Sequence, residues 1–165
     1  MVDEGVDYIR LGLRLRGVSI RLKLRWDRSP RTCGVIAETL PCENQAWHAK
    51  YANNEVYTIV AALSDPPPEE WLCMYPAPGD LLYIPLSPGV VLPPGAPPQD
   101  PNKGVLDLAY FYDRGNSLLG GPAGPQPGTI IATAVSLEDI EEMAAACSDV
   151  WFNGAAGERL YIQRD

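Results

Sequence analysis

YIRLGLRLRGVSIRLKLRW, residues 8–26, decides the fold. Ile9, Leu11, Leu13 and Leu15 alternate with Arg10, Arg14 and Arg16, the two-residue period of a strand with one face buried. Beyond Gly17 the alternation resumes one residue out of phase. Val18, Ile20, Leu22 and Leu24 become the apolar set, opposed to Arg21, Lys23 and Arg25. A slip of one residue turns a strand inside out, so a tight turn or bulge at Gly17 is required to bring both apolar sets onto one face. Two strands result, apolar toward a core and arginine-rich outward. The arginine face fits a solvated exterior, or an acidic patch on a second subunit.

Working outward, a short helix comes next. Ser29 is placed to cap it, Pro30 suits its first position, Cys33, Ile36, Ala37 and Leu40 form its stripe, and Pro41 ends it. Residues 45–61 return to strand character in two pieces broken at Asn53-Asn54, because asparagine tolerates the left-handed backbone of turns. A Pro-Gly-Asp turn feeds a short buried strand from Leu81 to Ile84. VLDLAYFY at 105–112, TIIATAV at 129–135 and RLYIQ at 159–163 are further strands. The second helix opens with Ser136 and Asp139 as a capping box and buries Ile140, Met143, Ala144 and Cys147. Acids Glu138, Asp139, Glu141 and Glu142 crowd its first turns, where the helix dipole favours them. Proline-rich loops at 65–78 and 85–101 are expected to border a cleft. With so few helices, a closed barrel plugged by the two of them is the economical way to cover the apolar strand faces.

At 165 residues, 46% hydrophobic and 21% charged, the chain suits one globular domain over 1–165, with 1–7 as a flexible start. The net charge of −8 is uneven: residues 1–31 carry about +4 and the remainder about −12. An acidic whole lacks the basic footprint that a phosphate backbone needs, which excludes nonspecific nucleic-acid binding. Cys33, Cys42, Cys73 and Cys147 have no C-x-x-C spacing, and His48 is the sole histidine, so no metal is expected. No signal segment opens the chain and no apolar run approaches the roughly 20 residues that span a bilayer. A soluble, cytoplasmic protein with reduced thiols, making no use of membranes, is the expectation.

Chemistry-bearing groups concentrate in WHAKYANNEVY, residues 47–57. His48 titrates near neutrality and can give or take a proton, Glu55 can act as base or orienter, and Tyr51, Asn54 and Tyr57 can bind a substrate carbonyl. Pairing about Asn53-Asn54 would put Glu55 near Ala52 and His48 near Ile59, so the two would not touch directly. A second cluster, YFYDRGN at 110–116, offers Tyr112 and the planar fork of Arg114 for an oxygen-bearing substrate. Trp151, after the second helix, is a third candidate for substrate contact, with a barrel plug as its commoner reading. Each of these residues has a bland alternative as a solvated strand or turn side chain. Cys33 or Cys42 could serve as a nucleophile with His48, but Cys33 sits on a buried stripe, where a thiol is inert. Neither a G-x-S-x-G elbow nor a glycine-rich phosphate loop occurs in the sequence.

YANNEVYTIV, YPAPGDLLYIP, LDLAYFYDRGNSLL, PGTIIATAV and EEMAAACSDVWFNGAAGERLYI occur here in one order. Together they resemble a bacterial family of unknown function with a cyclophilin-like barrel, over residues 8 to 163. The resemblance implies a mainly β fold, a closed eight-stranded barrel with two short helices plugging its ends, and a small homo-oligomer. It implies no activity. Prolyl isomerases of the cyclophilin type carry a pattern like FHRVI followed by QGGD, and here no arginine follows His48 and no QGGD occurs.

The residues support, as a leading expectation, a small-molecule enzyme doing general acid–base chemistry without a cofactor: hydrolysis, isomerisation or cyclisation of a polar, carbonyl-bearing metabolite. His48 and Glu55 would be catalytic, and Tyr51, Asn54, Tyr57, Tyr112, Arg114 and Trp151 would bind substrate. The rival is a non-catalytic ligand-binding or assembly barrel, and prolyl isomerisation is a weaker third.

Overall fold

The arginine–leucine alternation folds into β1 (Tyr8–Leu13) and β2 (Val18–Leu24), antiparallel, with Leu13 opposite Val18. The computed structural model describes residues 5–165. Residues 14–17 make the turn, where Gly17 takes φ +65° and its N–H donates to the Leu13 carbonyl at 3.0 Å. Leu15, expected on the apolar face, falls in this turn instead and is 67% exposed. Of the start expected to be flexible, residues 1–4 lie outside the described residues. Val6 is buried, and its carbonyl accepts from the Trp26 indole at 2.9 Å.

The remaining elements are α1 (Pro30–Thr39), β3 (Cys42–His48), β4 (Glu55–Ala61), β5 (Leu72–Cys73), β6 (Asp80–Leu86), β7 (Val105–Phe111), β8 (Gly128–Ala134), α2 (Leu137–Asn153) and β9 (Arg159–Arg164). All strand pairs are antiparallel, in the order β2-β1-β9-β3-β4-β7-β6-β8, and β8 returns to β2 through Leu22 opposite Ala134. Eight strands thus close a mainly β barrel that leaves no long edge unpaired. The two-residue β5 pairs with the start of β8.

Inward residues from every wall of the barrel meet in one core: Leu11 and Leu13, Ile20 and Leu22, Leu81, Leu108 and Tyr110, Ile131, and Leu160 and Ile162. The two helices complete it with Cys33, Ile36 and Ala37 from α1 and Met143, Cys147 and Val150 from α2. Ser29 does not cap α1, because its hydroxyl donates to the Ile130 carbonyl at 2.7 Å. Glu70 caps it from a distant loop, accepting from the N–H and hydroxyl of Thr32, both at 2.9 Å. Ser136 does cap α2, accepting from the Asp139 N–H at 3.1 Å.

The arginine face is answered within the chain. Arg10 and Arg21 converge on Asp165, Arg14 and Arg159 on Glu43, and the Arg14 guanidinium lies 3.7 Å over the Tyr161 ring. Glu158, wholly buried before β9, gathers the β1–β2 turn. It accepts from the N–H groups of Leu15 and Arg159 at 2.9 Å and Arg16 at 3.2 Å, and pairs with the Arg16 guanidinium at 2.9 Å. Truncation would leave a partly buried cation and several N–H groups without a partner. Glu158→Ala is therefore expected to cost ~3–5 kcal/mol in urea unfolding, and Arg14→Ala, at a solvent-screened pair with Glu43, to leave the midpoint nearly unmoved.

Candidate functional site

The connection from β3 to β4 is a six-residue loop, 49–54, in place of the tight turn expected at Asn53-Asn54. His48 therefore pairs with Val56, not near Ile59, and the Ala49 N–H closes onto the Glu55 carbonyl at 2.9 Å. Pairing fixes the faces. His48 shares the inward side with Val56, whereas Glu55 and Tyr57 lie on the outward side of β4. The polar stretch consequently supplies two cavities, one at a barrel mouth and one on the outer wall, with Ala49 and Lys50 bordering both.

The mouth cleft, of about 420 Å³, is lined by His48, Lys50, Asn54, Tyr112, Arg114 and Trp151 among others. His48 Nδ1 lies 2.8 Å from the Ala49 carbonyl, which can only accept, so Nδ1 carries the hydrogen. Burial holds His48 below the usual histidine range, which keeps the ring neutral. Nε2 then accepts from the Tyr112 hydroxyl at 2.7 Å, and burial pushes that phenol up to about 12. Trp151 is 53% exposed and leans over His48 with ring centroids 4.8 Å apart, so it roofs the cleft more than it plugs the barrel. The loop beside it is held by amides. Asn54 Nδ2 donates to the Arg114 carbonyl at 2.6 Å, and the Asn54 N–H donates to Asn116 Oδ1 at 3.1 Å. Asn116 Nδ2 donates to the carbonyls of Pro76 and Asp113. Asn54, expected as a substrate binder, thereby positions Arg114.

The outer pocket, about 190 Å³, sits over β4, β7 and β6, roofed by the 49–52 and 118–126 loops. Its walls include Ala52, Ile84, Leu86 and Leu118, and into this apolar setting face Glu55, Tyr57 and Asp107. Glu55 is 4% and Asp107 8% exposed. Asp107 Oδ1 has no hydrogen-bond partner; among the described residues the only other such buried side-chain atom is the Tyr110 hydroxyl, inside the barrel. Burial pushes Glu55 up to about 8. Burial and the nearby Glu55 charge together push Asp107 well above the usual carboxylate range. Burial and these two acids also raise the Tyr57 phenol. Ala109, opposite Tyr57 and next but one to Asp107 on the same face, offers no bulk to keep the three groups apart.

The expected site residues thus divide. His48, Asn54, Tyr112, Arg114 and Trp151 come together at the mouth; Glu55, Tyr57 and the 60% exposed Tyr51 belong to the outer pocket. His48 and Glu55 are on opposite faces of the sheet. Asp107 escaped the sequence reading, and Asn116, though within the YFYDRGN cluster, had no role assigned there. Asp107 left a signal: it is the one charged residue in VLDLAYF, a run too apolar to keep a solvated face. Cys33 is wholly buried, and burial pushes its thiol up to about 12, the setting of an unreactive thiol.

A closed antiparallel eight-stranded barrel with two helices defines the cyclophilin-like class. Within it, the chain belongs to the family described as protein of unknown function (DUF3830), whose model matches residues 11–162. Comparison with curated proteins gives no match. Among solved structures, the chain is similar to McbB in complex with tryptophan, at TM-score 0.61 and 16% identity. That match covers 95% of this chain and 44% of McbB, so the chain spans under half the length of the protein it resembles.

Because folding raises the affinity of Glu55 and Asp107 for protons, the folded state holds protons that the unfolded chain has released between the ordinary carboxylate range and about pH 8. Their effect on stability is most favourable in acid and is lost as pH rises through that window. Asp107→Asn is expected to flatten the decline and, at pH 8, to leave the protein ~1–2 kcal/mol more stable than wild type, measured by urea unfolding from pH 5 to 9.

Proposed function

We propose that this chain is a small-molecule enzyme performing general acid–base chemistry without a cofactor on a polar, carbonyl-bearing metabolite, with Glu55 and Asp107 as its proton-handling pair. The observation that carries this reading is the unpartnered Asp107 Oδ1, buried beside a second carboxyl group in an apolar pocket. Two carboxyl groups in such a setting resist ionising together, so one serves as acid while the other serves as base. A carboxyl pushed up to about 8 exchanges its proton near neutral pH, where a general acid or base works best. Tyr57, its hydroxyl kept protonated, would donate to a substrate carbonyl oxygen and so favour proton removal from the adjacent carbon, or attack at the carbonyl itself. Lys50, on the rim shared by both cavities, would hold an oxygen-bearing end of the substrate. Binding of tryptophan by McbB, a barrel of the same fold, supports a small-molecule ligand.

A second assignment places the proton transfer at His48, favoured by the direct contact between its Nε2 and the Tyr112 hydroxyl. The rival assembly role of the arginine face is less well supported, because Arg10, Arg14, Arg16 and Arg21 already pair with acids of the same chain.

Native mass spectrometry against amide, imide and lactone metabolites would identify the ligand, and its turnover then tests the roles. Glu55→Gln and Asp107→Asn are each expected to lower kcat by about 10²-fold or more, and His48→Ala by less than about 10-fold. Unchanged turnover in both acid variants would sink the assignment, and a large loss in His48→Ala alone would move the chemistry to the mouth cleft.

A further inference from the structure

We infer that the outer pocket binds a protonated amine, seating the ammonium group between Glu55 and Asp107 with its apolar body against Ile84, Leu86 and Leu118. This deepens the reading of the pocket as the acid–base site and rests on it. Among the described residues the two carboxyl groups are the only acids that line the pocket, and neither forms an ion pair. In a folded chain a buried carboxyl is ordinarily matched by an arginine, a lysine or several N–H donors. Glu158 shows this protein doing so elsewhere, with a guanidinium and three N–H groups on one carboxylate. Asp107 has nothing on Oδ1. The missing complement is a donor of positive charge, and the pocket leaves room for one to arrive from outside.

The walls narrow the class. An anion would meet two acids, and a divalent cation would find only two acidic ligands, set among apolar walls with the neutral side-chain oxygens of Tyr51, Tyr57 and Gln126. Among the described residues no group of three or more His, Cys, Asp or Glu could hold one. An alkyl or arylalkyl ammonium meets both demands, offering three donors to the acids and an apolar body to the walls. The other titratable groups facing the pocket are Lys50, Tyr51 and Tyr57. Burial keeps the Tyr57 phenol protonated, and its hydroxyl can accept an ammonium N–H. Residues 32–165, which contain the whole pocket, carry about −12 of formal charge and so draw cations toward it.

The test compares three probes of similar size on the intact chain by NMR titration: 1-butylammonium, 1-butanol and butyrate, at pH 6.5 and 8.5. The ammonium should bind best, shift resonances of 55–57 and 107–109, and bind about 10-fold more tightly at pH 8.5, as the acids give up their protons while the amine keeps its own. Asp107→Asn and Glu55→Gln, each retaining the wild-type far-ultraviolet spectrum, should weaken it at least 10-fold. Preferred binding of butanol or butyrate in the pocket would overturn the ammonium class, as would displacement of the probe by millimolar calcium. So would ammonium binding that does not respond to pH. The acid–base reading is judged separately by turnover in the same two variants, so either can fail while the other stands.

Discussion

An antiparallel strand ordinarily keeps one face for water, and β7 keeps neither: every residue from Val105 to Phe111 is buried. Its inward face packs in the barrel through Leu106, Leu108 and Tyr110, while Ala109 and Phe111 turn outward and form a second apolar cluster with Leu82, Ile84 and Leu118. That outer surface cannot be left to solvent, so the long loops must fold over it. Covering a sheet with irregular chain, rather than with a helix, produces imperfect packing. The outer pocket is the space that remains, and the position of Asp107 on β7 puts a carboxyl group inside it.

Much of the barrel was legible because its wall obeys the period of two. The β1–β2 alternation, the phase change at Gly17 and the α1 stripe reflect local geometry and appear in the fold. On α2 Met143 and Cys147 are buried as expected, but Ala146 and Val150 complete the set while Ile140 and Ala144 are half-buried. Loop 49–54 was harder to read. Asn53-Asn54 looks like a turn, and Asn53 does adopt φ +70°, but both side chains reach across to residues 114 and 115, some 60 positions away in the chain. No local pattern encodes such a partnership. The site suffered for the same reason. His48 is close in sequence to Glu55 and Tyr57 but divided from them by the sheet, while Asp107 is remote in sequence and shares a pocket with Glu55.

The two buried carboxyls contrast with the arginine-bearing wall and with buried Glu158, where charge is matched. Arginines on the outer wall meet Asp165, Glu43 and Glu158, and Glu70 takes over the end of α1 that Ser29 leaves open. Glu55 and Asp107 instead face their pocket with no ion pair among the described residues. Such departures are stabilities given up locally, and they concentrate where a protein does its chemistry.

Asn53, Asn54 and Asn116 join the 49–54 and 113–116 loops entirely through amide groups and backbone carbonyls. None of these groups gains or loses a proton in the range where proteins function. The fastening is thus indifferent to acidity, while in the pocket on the other side of the wall burial raises the hold of two carboxyl groups on their protons. One part of the molecule is a fixed frame and the other a variable field, and residues 49–54 belong to both.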